Sequence, residues 1–183
     1  MTPPSPWQPA PAHEPSAPDA TTRSWLREQG SLTTRLRRHW PDLAVRVLAE
    51  GLGTPLPHEA RRLGLADGVP AWLRCVLLVG GGLPRVYART VIPDGPALAT
   101  WAEVQALGQQ PLGELLFGLH GLDRSGFDWA QGLAWPHADH WPGAAPGCWA
   151  RRCVFTREHA PLLLTELFLH LPPDGATPTH PCP

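Results

Sequence analysis

Four strongly apolar runs fall in two close pairs, and that spacing limits what the chain can fold into. Residues 72–79 (WLRCVLLV) are separated from residues 85–92 (RVYARTVI) only by a turn built on Gly80-Gly81-Gly82. Residues 148–156 (CWARRCVFT) are joined to residues 161–171 (PLLLTELFLHL) only by Arg157-Glu158-His159-Ala160. Runs rich in β-branched and aromatic residues that follow each other this closely read as antiparallel hairpins, because a parallel crossover needs a dozen or more residues. Residues 43–50 (LAVRVLAE) read as a further strand. Helical spacing governs the segments between. In residues 24–40, Trp25, Leu26, Leu32, Leu36 and Trp40 form one apolar stripe, broken at Gly30-Ser31 with Ser31 able to cap the second piece, and Pro41 stops it. Leu98, Trp101, Val104 and Leu107 mark another helix over residues 97–107, and a short one starts near Pro111. The pattern predicts an α+β fold: a single antiparallel sheet with helices packed on it.

A chain that is 43% hydrophobic can bury a core of that size, and its net charge of −1 exerts no general pull on nucleic acid or membrane. All its basic residues are Arg, so the run Arg35-Leu36-Arg37-Arg38 reads as a solvated helix face. Cys75, Cys148, Cys153 and Cys182 form no C-x-x-C pair, and no secretory signal or membrane-length apolar run is visible. A reduced, cytoplasmic protein without stable membrane insertion is expected. Residues 1–22, rich in Pro, Ala and Ser, and residues 172–183 are expected to be disordered, leaving one domain over residues 23–171. Residues 124–147 form a long Gly/Pro/Trp/His segment, either a lid or an insertion, with Trp135 and Trp141 closing over a pocket or packing within the loop. His137-Ala138-Asp139-His140 carries ligand-type residues, yet without a matching pair it reads as a surface histidine cluster, and no metal is expected.

Charge inside the predicted strands is the informative anomaly. Side chains alternate along a strand, so Leu162, Leu164, Glu166 and Phe168 share one face while Leu163, Thr165, Leu167 and Leu169 share the other. Both faces are apolar, so Glu166 is expected to be buried, where a lone carboxylate is costly. Arg74 meets the same problem beside Trp72, Val76 and Leu78. Two readings stand: the two residues pair with each other and close the core, or they address a ligand in a pocket.

The segments AWLRCVLL, ARTVIP, LGQQPLGELLF, WARRCVF and PLLLTELFL, in that order, resemble the chorismate lyase (chorismate–pyruvate lyase) family from about Trp25 to Leu169. The resemblance implies a sheet of about six antiparallel strands with an internal ligand pocket under flaps. It implies cofactor-independent elimination of pyruvate from chorismate to give 4-hydroxybenzoate, the first step of ubiquinone synthesis, by a monomer. It places the ligand-binding arginine on Arg74 and the glutamate on Glu166, both assigned to catalysis. It places backbone contacts on Leu112 of the P-L-G motif and on Leu32, where Ser31-Leu32-Thr33 replaces the usual S-M-T. The alternative is a non-catalytic small-molecule sensing domain of the same fold.

Overall fold

The computed structural model describes residues 6–10, 18–141 and 147–172. In chain order its strands are β1 Gln8–Pro9, β2 Ala44–Gly53, β3 Ala71–Gly80, β4 Leu83–Pro93, β5 Asp123–Arg124, β6 Asp128–Gln131, β7 Trp149–Arg157 and β8 Ala160–Phe168. The helices are α1 Ala20–Leu26, α2 Leu32–His39, α3 Pro57–Leu63, α4 Pro96–Thr100, α5 Ala102–Gln105 and α6 Leu112–Gly118. All strands join one antiparallel sheet in the order β1-β6-β7-β8-β4-β3-β2, with β5 on β7. Six strands have four or more residues, as expected, and β1 and β5 add two short ones.

Both expected hairpins form, and local backbone chemistry shapes their turns. Gly81 and Gly82 take φ of 57° and 73°, a region that glycine enters without penalty. At Gly80 the constraint is space: a Cβ there would lie 2.7 Å from Trp40 Cβ. The β7–β8 turn uses Glu158 and His159 at φ 50° and 65°, the left-handed pair that a two-residue hairpin requires. The first helical region breaks at Gly30, and the Ser31 hydroxyl caps α2 by accepting from the Thr34 amide. Helix α3, unmarked by any long apolar period, is set by Pro57 in its first turn and by Gly64 in left-handed conformation at its end.

The sheet is buried on both faces, as the double apolar alternation of β8 predicts. One face carries Trp72, Val76, Leu78, Val86, Leu162 and Leu164 beneath α1, α2 and α4–α6. The other carries Cys75, Leu77, Tyr87, Ala150 and Leu167 against Trp7, Trp135 and Trp141. The expectation of a leader without packing therefore fails for residues 6–10, and also for residues 18–22, which cap and begin α1. Trp7 is buried, and Gln8 and Pro9 pair with Trp129 and Asp128 of β6, because one large ring supplies the apolar area that its Pro-rich neighbours lack. The rest of the leader before residue 18, and the tail from residue 173, lie outside the described residues.

His58 sits on this second face between the rings of Trp7 and Trp135, at 5.6 and 5.9 Å. Burial pushes its pKa down to about 4; Glu59 opposes the shift, and Arg152 and Arg89 add to it. The folded pKa thus lies below the unfolded value of about 6.5. The unfolded chain binds the extra proton between those values, so stability is full above about pH 6.5 and falls as pH drops toward 4, by about 3 kcal/mol at most. Melting temperatures at pH 7.5 and 5.0 should show this loss, and His58→Gln should shrink it. An equal loss in the variant would assign the effect to another group.

Candidate active site

Strand register decides what each inward-facing charge meets. Glu166 on β8 stands directly opposite Arg151 on β7 and Ala88 on β4. Its Oε2 accepts a hydrogen bond from Arg151 Nε at 2.6 Å. Arg151 Nη1 also donates to the carbonyls of Trp25, Leu26 and Glu28, at 3.2, 3.3 and 2.7 Å. These carbonyls lie at the C-terminal end of α1 and, for Glu28, two residues beyond it, where a helix runs out of internal donors. The guanidinium stacks over Phe127, 4.4 Å from the ring centre. Glu166 is therefore not alone among leucines: its neighbour across the ladder is a buried cation.

Arg74 lies one strand and one ladder step further on. It faces Thr90 of β4, which in turn faces Leu164. That offset overturns the reading in which Arg74 and Glu166 pair and close the core. Arg74 Nη2 instead donates to the carbonyls of Gly108 (2.5 Å) and Gln110 (3.2 Å), and Nε lies 3.3 Å from Glu50 Oε2. The Glu50 contact is an ion pair by distance but is too poorly aligned for a hydrogen bond, so its contribution is electrostatic. Burial lowers the Arg74 pKa and Glu50 raises it back in part; a guanidinium stays charged regardless. Nη1 has no acceptor among the described residues.

Leu32 opens α2 and Leu112 opens α6, and the two helix starts meet at Gly113. A Cβ on Gly113 would lie 3.2 Å from Thr33 Oγ1 and 3.4 Å from Ser31 Oγ, so glycine permits the approach. Arg74, Glu166, Leu32 and Leu112 all line a single pocket on the helix-covered face of the sheet. Its other walls include Val76, Leu116, Phe127, Phe155 and Leu164, with Arg124 and Arg151 as further polar members. Glu166 is the only carboxylate among the lining residues.

Two expectations for the 124–147 segment resolve differently. Arg124 and Phe127 reach the pocket. Trp135 and Trp141 do not close over it: they pack on the opposite face, 6.2 and 4.6 Å from the Tyr87 ring. Their large apolar surfaces cover the otherwise exposed second face of the central strands. His137 and His140 face each other at 6.1 Å on that same loop. Among the described residues no group of three candidate ligands could hold a metal.

With this geometry in place, the chain can be set beside known proteins. A sequence model of the family described as chorismate lyase matches residues 3–173. The chain belongs to the chorismate lyase family. It is 41% identical over 147 residues to the probable chorismate pyruvate-lyase of Hydrogenovibrio crunogenus, covering 79% of this chain and 80% of that one. The corresponding protein of Pseudomonas putida is 40% identical over 153 residues, 81% of each chain. Among solved structures, the PhnF C-terminal domain superposes with a TM-score of 0.55 at 16% identity, covering 73% of this chain and 86% of that domain. That likeness concerns the fold alone. In this chorismate lyase chain, sequence reasoning passed over Arg151, Arg124 and Glu50. Arg151 was within reach: counting back along β7 from a two-residue turn at Glu158-His159 sets it opposite Glu166.

Proposed function

We propose that the pocket eliminates pyruvate from chorismate to release 4-hydroxybenzoate. Chorismate is a dianion with a ring carboxylate, a ring hydroxyl para to it and an enolpyruvyl ether beside the hydroxyl. The carbon that bears the hydroxyl loses its hydrogen as a proton, the neighbouring carbon–oxygen ether bond breaks, and the ring becomes aromatic. The departing enolpyruvate takes up a proton at its methylene carbon and ends as pyruvate. Atoms balance without an oxidant or a cofactor.

The observation that carries this reading is a mostly apolar pocket holding a buried guanidinium on β3 and a buried carboxylate on β8, with β4 between them. Adjacent strands lie about 4.8 Å apart, so the two groups suit opposite ends of a para-substituted ring. Arg74 binds the ring carboxylate. The backbone at Leu112 and Leu32 assists, since first-turn amides have no acceptor within their own helix. Glu166 accepts the hydrogen bond of the ring hydroxyl through Oε1, its Oε2 being held by Arg151. It also takes the proton from the adjacent carbon, as the only carboxylate in the lining. The helix starts and residues 108–113 act as flaps that exclude water and fix the reacting geometry. The chain works as a monomer in the cytoplasm, a reducing compartment with which the free thiols of Cys75 and Cys153 agree.

Purified protein incubated with chorismate should yield 4-hydroxybenzoate and pyruvate in equal amounts. Chorismate that binds and is recovered unchanged would refute the lyase reading in favour of a ligand-sensing role.

A further inference from the structure

The charges around the pocket balance in all places but one. Arg74 has Glu50, and Arg151 has Glu166, each within 4.0 Å. Arg124 also lines the pocket and has no carboxylate partner within that distance among the described residues. Its Nη1 donates to the Gln29 backbone carbonyl at 2.8 Å and its Nη2 to the Gln29 side-chain oxygen at 2.5 Å. Both acceptors are neutral. Arg124 is half-buried and brings to the pocket wall a positive charge that no carboxylate among the described residues offsets.

Its position within the pocket is equally specific. Arg124 and Arg151 both stack on Phe127, at 5.1 and 4.4 Å from the ring centre. Arg124 therefore belongs to the Glu166 end of the pocket, away from Arg74. Resting on the lyase reading, the ring hydroxyl lies at that end, and the enolpyruvyl ether is attached to the next carbon. The side-chain carboxylate of the leaving group then falls beside Arg124.

We infer that Arg124 binds the second carboxylate of the substrate, the one that departs with pyruvate. Arg74 and Glu166 recognise features that 4-hydroxybenzoate retains, whereas Arg124 recognises the group that the product has lost. The residue thus distinguishes the dianionic substrate from the monoanionic product. It also places a fixed positive charge where negative charge gathers as the ether bond breaks.

The test compares wild type with Arg124→Gln, Arg124→Lys and Gln29→Ala. Each protein is measured for kcat/KM on chorismate and for inhibition by 4-hydroxybenzoate. Arg124→Gln should lower kcat/KM by about tenfold to a hundredfold, the scale of one charged hydrogen-bonding group, with product inhibition changed less than about threefold. Arg124→Lys should fall between the two, because it keeps the charge and loses the planar fork. Gln29→Ala removes the side-chain contact, leaves the backbone one and keeps the charge, so it should stay close to wild type. Equal losses for chorismate and 4-hydroxybenzoate, or a Gln29→Ala variant as impaired as Arg124→Gln, would overturn the inference. If wild type fails to consume chorismate, the lyase reading fails by itself. Dissociation constants for intact chorismate, compared between wild type and Arg124→Gln, then decide whether Arg124 holds the second carboxylate.

Discussion

Arg74→Ala should weaken 4-hydroxybenzoate binding by about 2–5 kcal/mol, the cost of truncating one partner of a buried charged contact. Two parts of the site fail together in this variant. The ligand carboxylate loses its counter-charge, and the Gly108 and Gln110 carbonyls lose their donor, which loosens the segment leading to Leu112. Arg74→Lys should recover only part of the loss, since an ammonium cannot hold both carbonyls and a carboxylate with one planar fork. Calorimetric titration with 4-hydroxybenzoate measures the binding, and a melting scan separates it from loss of fold. A Lys variant with wild-type affinity and turnover would show that fork geometry is not what Arg74 contributes.

Glu166→Gln should lower turnover by about a hundredfold or more, the usual scale for removing a positioned general base. Product affinity should fall much less than turnover, and the melting temperature should drop only part of the way seen with Ala, because the amide oxygen can still accept from Arg151 Nε but no longer supplies its counter-charge. Glu166→Ala should do more: product affinity falls, and the fold loses about 3–5 kcal/mol as Arg151 is left buried without its counter-ion. Added 4-hydroxybenzoate should restore little of that stability. A Gln variant turning over like wild type would reduce Glu166 to an anchor for the hydroxyl. An Ala variant that is stable, with normal turnover and product affinity, would remove the residue from the site altogether.

Much of this arrangement was legible along the chain, for reasons that stay local. A hairpin is specified by its own turn, so Gly80-Gly81-Gly82 and the short Arg157–Ala160 link were enough to pair β3 with β4 and β7 with β8. Side-chain alternation belongs to a single strand, so the inward direction of Arg74 and Glu166 and the burial of both faces could be read before any fold was known. Ser31 as a helix cap is equally local, its hydroxyl reaching an amide three residues on. By itself the sequence determined the fold class and marked Arg74 and Glu166 as buried charges; Leu32 and Leu112 followed only from the family resemblance, and all four are among the residues that line the pocket.

Partnership between distant segments was decided by the tertiary structure. Arg74 and Glu166 are separated by β4, and the register of β4 on β8 shifts them one ladder step apart, so each meets a different counter-charge. Leader residue Trp7 is buried because β6 offers it an open edge and Trp135 and His58 offer it rings, none of which its own neighbours reveal. Arg124 enters the pocket because β5 pairs with β7, setting it opposite Phe155 with its guanidinium over the Phe127 ring. Alternation tells a strand which way each side chain points, but the identity of the facing partner depends on strand order and register. Those are set by burying the most apolar surface at once, a property of the whole chain that no local stretch contains.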